Sequence, residues 1–235
     1  MIRDETKRCD CGVRNVEWGA VWLTIRLATV VTTILFFVGL PLAYWLAMTR
    51  WRGRFLVEAV VALPLVLPPT VLGFYLLVAM APHGPLGQVA NTLFGMRLPF
   101  TFTGILIGAV LFNLPFAVRP FAAAFAGLDR TLVEASWCLG VSPFQTFRRV
   151  TLPLCGPGIL TGLILTFAHT VGEFGVVLMV GGNIPGVTRT LSISIYDSVQ
   201  GLDYAQAGQT ASVLLAFSFI VLCVTQWLGQ RGEAT

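Results

Sequence analysis

Five long apolar runs constrain this chain more than any other feature: Val21 to Met48, Phe55 to Met80, Phe102 to Ala124, Gly158 to Val180 and Ala207 to Leu228. About 20 helical residues cross the hydrocarbon of a bilayer, so each run is long enough to span it. Inside lipid a segment must satisfy its own backbone N–H and C=O groups, which makes helices the default. The runs leave little of the 235 residues for an aqueous domain. The expectation is an all-α, polytopic membrane protein with about five transmembrane helices. Composition agrees, since 11% of residues are charged against about a quarter in soluble domains. Residues 1–17 read as a polar N-terminal tail, 18–229 as the transmembrane domain and 230–235 as a short tail. The first run is too long for the core of a signal peptide and is expected to be retained.

Charge in the connections sets orientation. Arg50, Arg52, Arg54, Arg119, Arg130, Arg148, Arg149 and Arg231 fall on one side, with Arg97 and Arg189 on the other. The first side is expected to be cytoplasmic, which puts the N-terminus outside and the C-terminus inside. The tail carries Arg3, Lys7, Arg8 and Arg14, but Asp4, Glu5, Asp10 and Glu17 offset them. The net charge of +4 therefore reads as a topology signal rather than a nucleic-acid patch. Trp18, Trp22, Trp45, Trp51 and Trp227 lie near run ends, where aromatic belts form. Arg26 and Glu58 read as snorkelling residues.

Catalytic machinery is not legible. Lys7 is the only lysine and no glycine-rich loop precedes it, so no P-loop can hold ATP phosphates. No nucleophile set, metal-spaced cluster or paired carboxylates stand out, and no metal or cofactor is expected. Cys138, Cys155 and Cys223 read as small packing residues, and Cys9 with Cys11 is a short pair lacking further ligands.

One interval, residues 129–153, mixes charged, polar and isolated apolar residues. Thr131 followed by Glu134 has the spacing of a capping box, which predicts a helix to Leu139 stopped by Gly140. Ser142, Pro143 and Gln145 predict a second helix start, ending before Pro153. Leu132, Ala135 and Leu139 share one face of the first helix; Phe144, Phe147 and Val150 share one face of the second. Such a helix-turn-helix either rests at the lipid interface or docks a cytosolic partner.

Glu134, Ala135 and Ser136, then Gly140 after three residues, then Val150, Leu152 and Pro153 after nine more, resemble the EAA loop of ABC importer permeases. Leu63 to Val78 and Gly172 to Thr190 are similar to the molybdate branch of that family. The resemblance covers about Trp18 to Leu228. It implies a type I importer permease fold and makes 129–153 a coupling loop, including Ser142 and Phe144, that seats in a separate cytosolic ATPase present in two copies. It further implies a homodimer around one path in the inner membrane, a periplasmic or extracellular binding protein, and molybdate or tungstate as cargo. A sulfate or thiosulfate permease is the alternative, with a proton-coupled carrier behind it.

His169 and Glu173 are ionisable residues at membrane depth, four apart and hence on one helical face if the fourth run is a single helix. Three roles stay open: a pair that knits helices together, a lining of the substrate path, or a proton relay. Pro64, Pro68 and Pro69 predict breaks in the second run, either as simple kinks or as helix starts whose N–H groups suit an anion.

Overall fold

The computed structural model of the chain describes residues 17–232, with side chains through Trp227. The basic and cysteine residues read in the N-terminal tail, and the last three residues, lie outside that range. Three helices are long and apolar enough to cross a bilayer singly: α1 (Trp18–Met48), α5 (Phe102–Ala126) and α12 (Tyr204–Gly232). Helix α12 runs on through residues read as the start of a tail. Two further helix pairs are apolar and long enough only when taken together across a sharp bend. The helices α2 (Arg54–Val66) and α3 (Pro69–Met80) meet at 110°, followed by the short α4 (Pro85–Phe94). The stretch after α5 forms α6 (Arg130–Cys138), α7 (Pro143–Thr146), a π-helical turn over Phe147–Thr151 and α8 (Leu152–Leu154), and meets α9 (Gly156–Gly172) at 70°. Then come α10 (Gly175–Gly181) and α11 (Leu191–Gln200). No strand occurs among the described residues.

The second and fourth apolar runs are thus not single helices. Pro68 forces Leu67 out of helical geometry, to φ −73° and ψ 135°, and Pro69 sits at the first position of α3, where a missing N–H costs nothing. Pro64 stays buried within α2, and Pro41, Pro115 and Pro120 lie inside unbroken helices, so the double proline is what breaks the span. In the fourth run Glu173 is extended at ψ 134° and the helix restarts at Gly175.

Helices α1, α5 and α9 make the core. Leu27, Val31 and Leu35 pack with Ile105, Ala109, Val118 and Phe121, and with Ile159. Lipid tails are as apolar as these side chains, so close contact rather than water exclusion holds spans together. Gly158 and Gly162 supply that closeness on α9: a Cβ at Gly162 would lie 2.8 Å from the Phe121 ring, and one at Gly158 2.7 Å from Ala124. A second cluster, Leu76, Met80, Phe112, Val176 and Val180, joins α3, α5 and α10. Helix α12 is different. Only 11% of its most apolar window is buried, against 50% for α5, so most of its sides face outward.

Polar contacts mark the two ends of the bundle. At one, Glu17 before α1 meets Arg189 and Ser194. At the other, Tyr44, Met48 and Arg50 adjoin Arg130, Val133 and Glu134 around a cavity of about 240 Å³. Arg54 pairs with Glu58 at 3.6 Å, and Arg26 lies 4.4 Å over the Phe102 ring.

Candidate functional site

The interval 129–153 folds as a helix, a glycine corner and a second helix, with local chemistry that departs from the expected caps. The N-cap of α6 is Asp129, whose carboxylate accepts from the Thr131 N–H at 2.9 Å. This bond holds the exposed Asp129 carboxyl below its usual range. Thr131 is therefore inside the helix and Glu134 does not close a capping box, because an aspartate two residues earlier satisfies the free N–H first. Gly140 turns with φ +76°, the left-handed conformation expected at a helix C-terminus. Ser142 caps α7 through the Gln145 N–H, with Pro143 at the first position.

The second helix does not end before Pro153. It continues through the π-helical turn, where the Leu152 N–H reaches back five residues to the Phe147 carbonyl. Wider spacing there lets Pro153, which has no N–H, sit inside the helix.

Burial sorts the faces. Val133 and Ser136 of α6 point inward, and Ser136 Oγ lies 2.8 Å from Thr146 Oγ1, which ties α6 to α7. Phe147 also turns inward, against Tyr44 of α1 at 4.9 Å, while Tyr44 meets Phe125 of α5 at 5.3 Å. This aromatic trio anchors the loop to the spans. Leu132, Leu139 and Phe144 are exposed, at 47%, 83% and 73%, and Glu134, Ala135, Ser142, Arg148 and Arg149 are exposed with them. Val150 and Leu152 are half-buried, and Pro153 is exposed. The expected second face splits, since Phe147 packs inward while Phe144 projects outward.

The helix breaks converge on a second feature. A cavity of about 470 Å³ is lined by Pro69 and Thr70 at the start of α3, by Phe112 of α5, and by His169, Glu173 and Gly175 around the α9/α10 break. Pro68 and Pro69 carry no N–H, and the N–H groups of Val71 and Leu72 bond the Pro68 carbonyl. Among the described residues the Thr70 N–H is the one left open at the head of α3. Three of the expected path residues, Pro69, His169 and Glu173, thus meet here; Pro68 sets the bend, and Pro64 is buried elsewhere in α2.

His169 and Glu173 do not share a helical face, because Glu173 lies past the end of α9. Asn113 of α5 joins them instead. Its Nδ2 donates to Glu173 Oε2 at 3.0 Å and to the Ala109 carbonyl at 2.8 Å, and its Oδ1 lies 2.8 Å from His169 Nδ1. Asn113 is fully buried. The His169 ring stacks on Phe116 at 3.7 Å. Glu173 is 5% exposed, and its Oε1 has no partner among the described residues. Sequence reading missed Asn113; its signal was a lone amide in the middle of the Phe102 to Ala124 run.

At the far end of the bundle, Arg189 donates through Nε to Asn183 at 2.6 Å and reaches Asp197 at 3.4 Å and Glu17 at 3.3 Å. Glu17, read as tail, is part of the folded unit.

Residues 39–231 match the family described as "Binding-protein-dependent transport system inner membrane component". The chain is 52% identical over 206 residues to the molybdenum transport system permease protein ModB of Azotobacter vinelandii, covering 88% of this chain and 91% of that one. It is 34% identical over 215 residues to ModB of Escherichia coli strain K12, covering 91% and 94%. A probable sulfate transport system permease protein cysT of Zygnema circumcarinatum is 34% identical over 207 residues, 88% of this chain and 70% of that one. Among solved structures, a bacterial alginate ABC transporter in complex with alginate pentasaccharide-bound periplasmic protein superposes with TM-score 0.74 at 18% identity, covering 91% and 78%. The inward-facing MetNI methionine ABC transporter superposes with TM-score 0.70 at 20% identity, covering 91% and 94%.

Proposed function

Since this chain belongs to the binding-protein-dependent transport system inner-membrane component family, we propose that it is the permease subunit of an ATP-driven importer that carries molybdate into the cell. The observation that carries this reading is the 52% identity to a molybdenum permease over 88% of the chain. The geometry is consistent with a permease. The α2/α3 and α9/α10 breaks meet on a cavity that holds His169 and Glu173, the arrangement by which transporters open backbone groups to a substrate without exposing them to lipid.

In this reading the cargo passes the cavity between the α2/α3 and α9/α10 breaks, where the Thr70 N–H faces it together with His169 and Glu173. A backbone N–H at a helix start stabilises an anion without a buried full charge. The loop 129–153 is the coupling element for a cytosolic ATPase, one per permease copy. Leu132, Leu139 and Phe144 are the apolar contacts it offers, and the Tyr44–Phe125–Phe147 trio carries its displacement into α1 and α5. The end bearing this loop is cytoplasmic, since Arg50, Arg54, Arg119 and Arg130 gather there. The N-terminus is then outside, and the Arg189 end receives a periplasmic binding protein. A second copy of the chain completes the path.

The experiment is ATP-dependent uptake of molybdate, tungstate and sulfate into vesicles holding this chain, its ATPase and its binding protein. Molybdate uptake that outcompetes sulfate is expected. Sulfate transport equal to or above molybdate would move the chain to the sulfate branch, which its likeness to the cysT protein makes the second reading.

A further inference from the structure

Taking the cavity between the helix breaks as the anion path, we propose that Asn113 is a positioning residue of that path: it locks His169 as the tautomer protonated on Nδ1 and leaves the Nε2 lone pair for what enters the cavity. The orientation of the Asn113 amide follows from its neighbours. The atom 2.8 Å from the Ala109 carbonyl can only be the NH₂ group, because a carbonyl oxygen never donates. The same NH₂ group reaches Glu173 Oε2 at 3.0 Å. The amide oxygen is therefore the atom 2.8 Å from His169 Nδ1, and that ring nitrogen must be the donor.

Neither of the other contacts to the ring could set this. Phe116 stacks on it at 3.7 Å and Phe112 lies tilted at 5.5 Å, and both fix the ring plane. An aromatic face does not distinguish a ring from its flipped form, whereas one amide oxygen does. The bridge also needs an acceptor for His169 and a donor for Glu173 in a single short side chain. An amide has both, a carboxylate only the first, and leucine neither. With Nδ1 engaged, Nε2 is the ring nitrogen free to meet the cavity that His169 lines. A neutral imidazole accepts there. A bare oxyanion oxygen cannot donate to it, so the partner is a water of the hydration shell, and the anion passes His169 still hydrated on that side.

The chain has two histidines, His83 and His169, so nitrogen-15 labelling of histidine in a His83→Gln background reports His169 alone. The assembled transporter should show the proton on Nδ1. Asn113→Leu should lose that preference and raise the KM for molybdate uptake about tenfold, the size of one hydrogen bond, with a smaller change in maximal rate. Asn113→Asp alone should impair uptake by setting two carboxyl groups together. Adding Glu173→Gln gives the new carboxylate a donor, though not the bond to the Ala109 carbonyl, and should recover the Nδ1 signal and part of the affinity, which a mere loss of packing volume would not. A wild-type His169 protonated on Nε2 would overturn the proposal. So would an Asn113→Leu transporter that loses the tautomer yet keeps its KM. A clean Nδ1 signal in a transporter that does not carry molybdate would leave the lock standing and remove the assigned path instead.

Discussion

Arg189 reaches across 172 positions of sequence to Glu17, at 3.3 Å, while holding Asp197 at 3.4 Å. One guanidinium therefore fastens the start of α1, the loop after α10 and the helix α11. Arg189→Ala leaves two carboxylates close together and should cost about 1 kcal/mol after allowance for their exposure. Thermal unfolding in detergent checks this. Arg189→Lys should recover little, since a single ammonium cannot serve three partners as a planar fork does. Unchanged unfolding in Arg189→Ala would make the cluster decorative.

Gly140 has φ +76° and open space where a Cβ would go, so a side chain there meets strain rather than collision. Gly140→Val should cost about 1 to 2 kcal/mol and tilt α7 against α6. We expect near-normal levels in the membrane, weak capture of the ATPase and loss of uptake. Arg148 and Arg149 are exposed and away from the corner, so changing both should do less. The opposite ranking in a co-purification and uptake assay would show that the loop does not dock as proposed.

Ser136 departs from the alanine usual in the motif it resembles, and its hydroxyl meets Thr146 inside the loop. Ser136→Ala leaves a buried hydroxyl with one bond fewer and should destabilise the loop by about 1 kcal/mol. Adding Thr146→Val, which removes the other partner, should recover part of that. A double-mutant cycle on ATPase affinity measures the coupling, and strict additivity would rule out a shared role.

Gly162→Ile places a branched side chain where a bare Cβ already lies 2.8 Å from the Phe121 ring. Separating α9 from α5 by even an ångström forfeits much of their contact energy. The amount of folded protein in the membrane should fall sharply. Normal levels with full uptake would mean that α9 packs otherwise.

Topology is testable with thiols. In a background with the native cysteines replaced, cysteines near Arg52 and Gln145 should resist an impermeant reagent outside intact cells, while one near Gly186 should react. Cys138, exposed on α6, restored alone, should be shielded too. Reaction at Gln145 from outside would invert the molecule and remove the coupling role.

Sequence reading reached the spans and much of the loop because both rest on local rules. Apolar length marks a crossing, and Gly140, Ser142 and Pro143 have conformational preferences that neighbours did not override. It failed where two local signals competed, as with Asp129 and Thr131 for one cap, and where distant residues decide. Nothing near His169 announces Asn113, 56 positions earlier. The 110° bend needed Pro68 and Pro69 together, although the same run holds Pro64, which bends nothing visible from sequence. Glu17 looked like tail because its partners lie beyond residue 180.

The π-helical turn between α7 and α8 separates two helical phases within what sequence reading takes as one element. Each residue of an α-helix advances the azimuth by about 100°, so the extra residue in that turn sets the compass bearing of the exposed Phe144 face relative to the apolar helices. Deleting one residue from Phe147–Thr151 would leave every contact group chemically intact and swing Phe144 to a different heading. The loop therefore carries a setting as well as a surface: if it docks as proposed, an insertion or deletion here re-aims it, whereas a substitution on the exposed face only changes its finish.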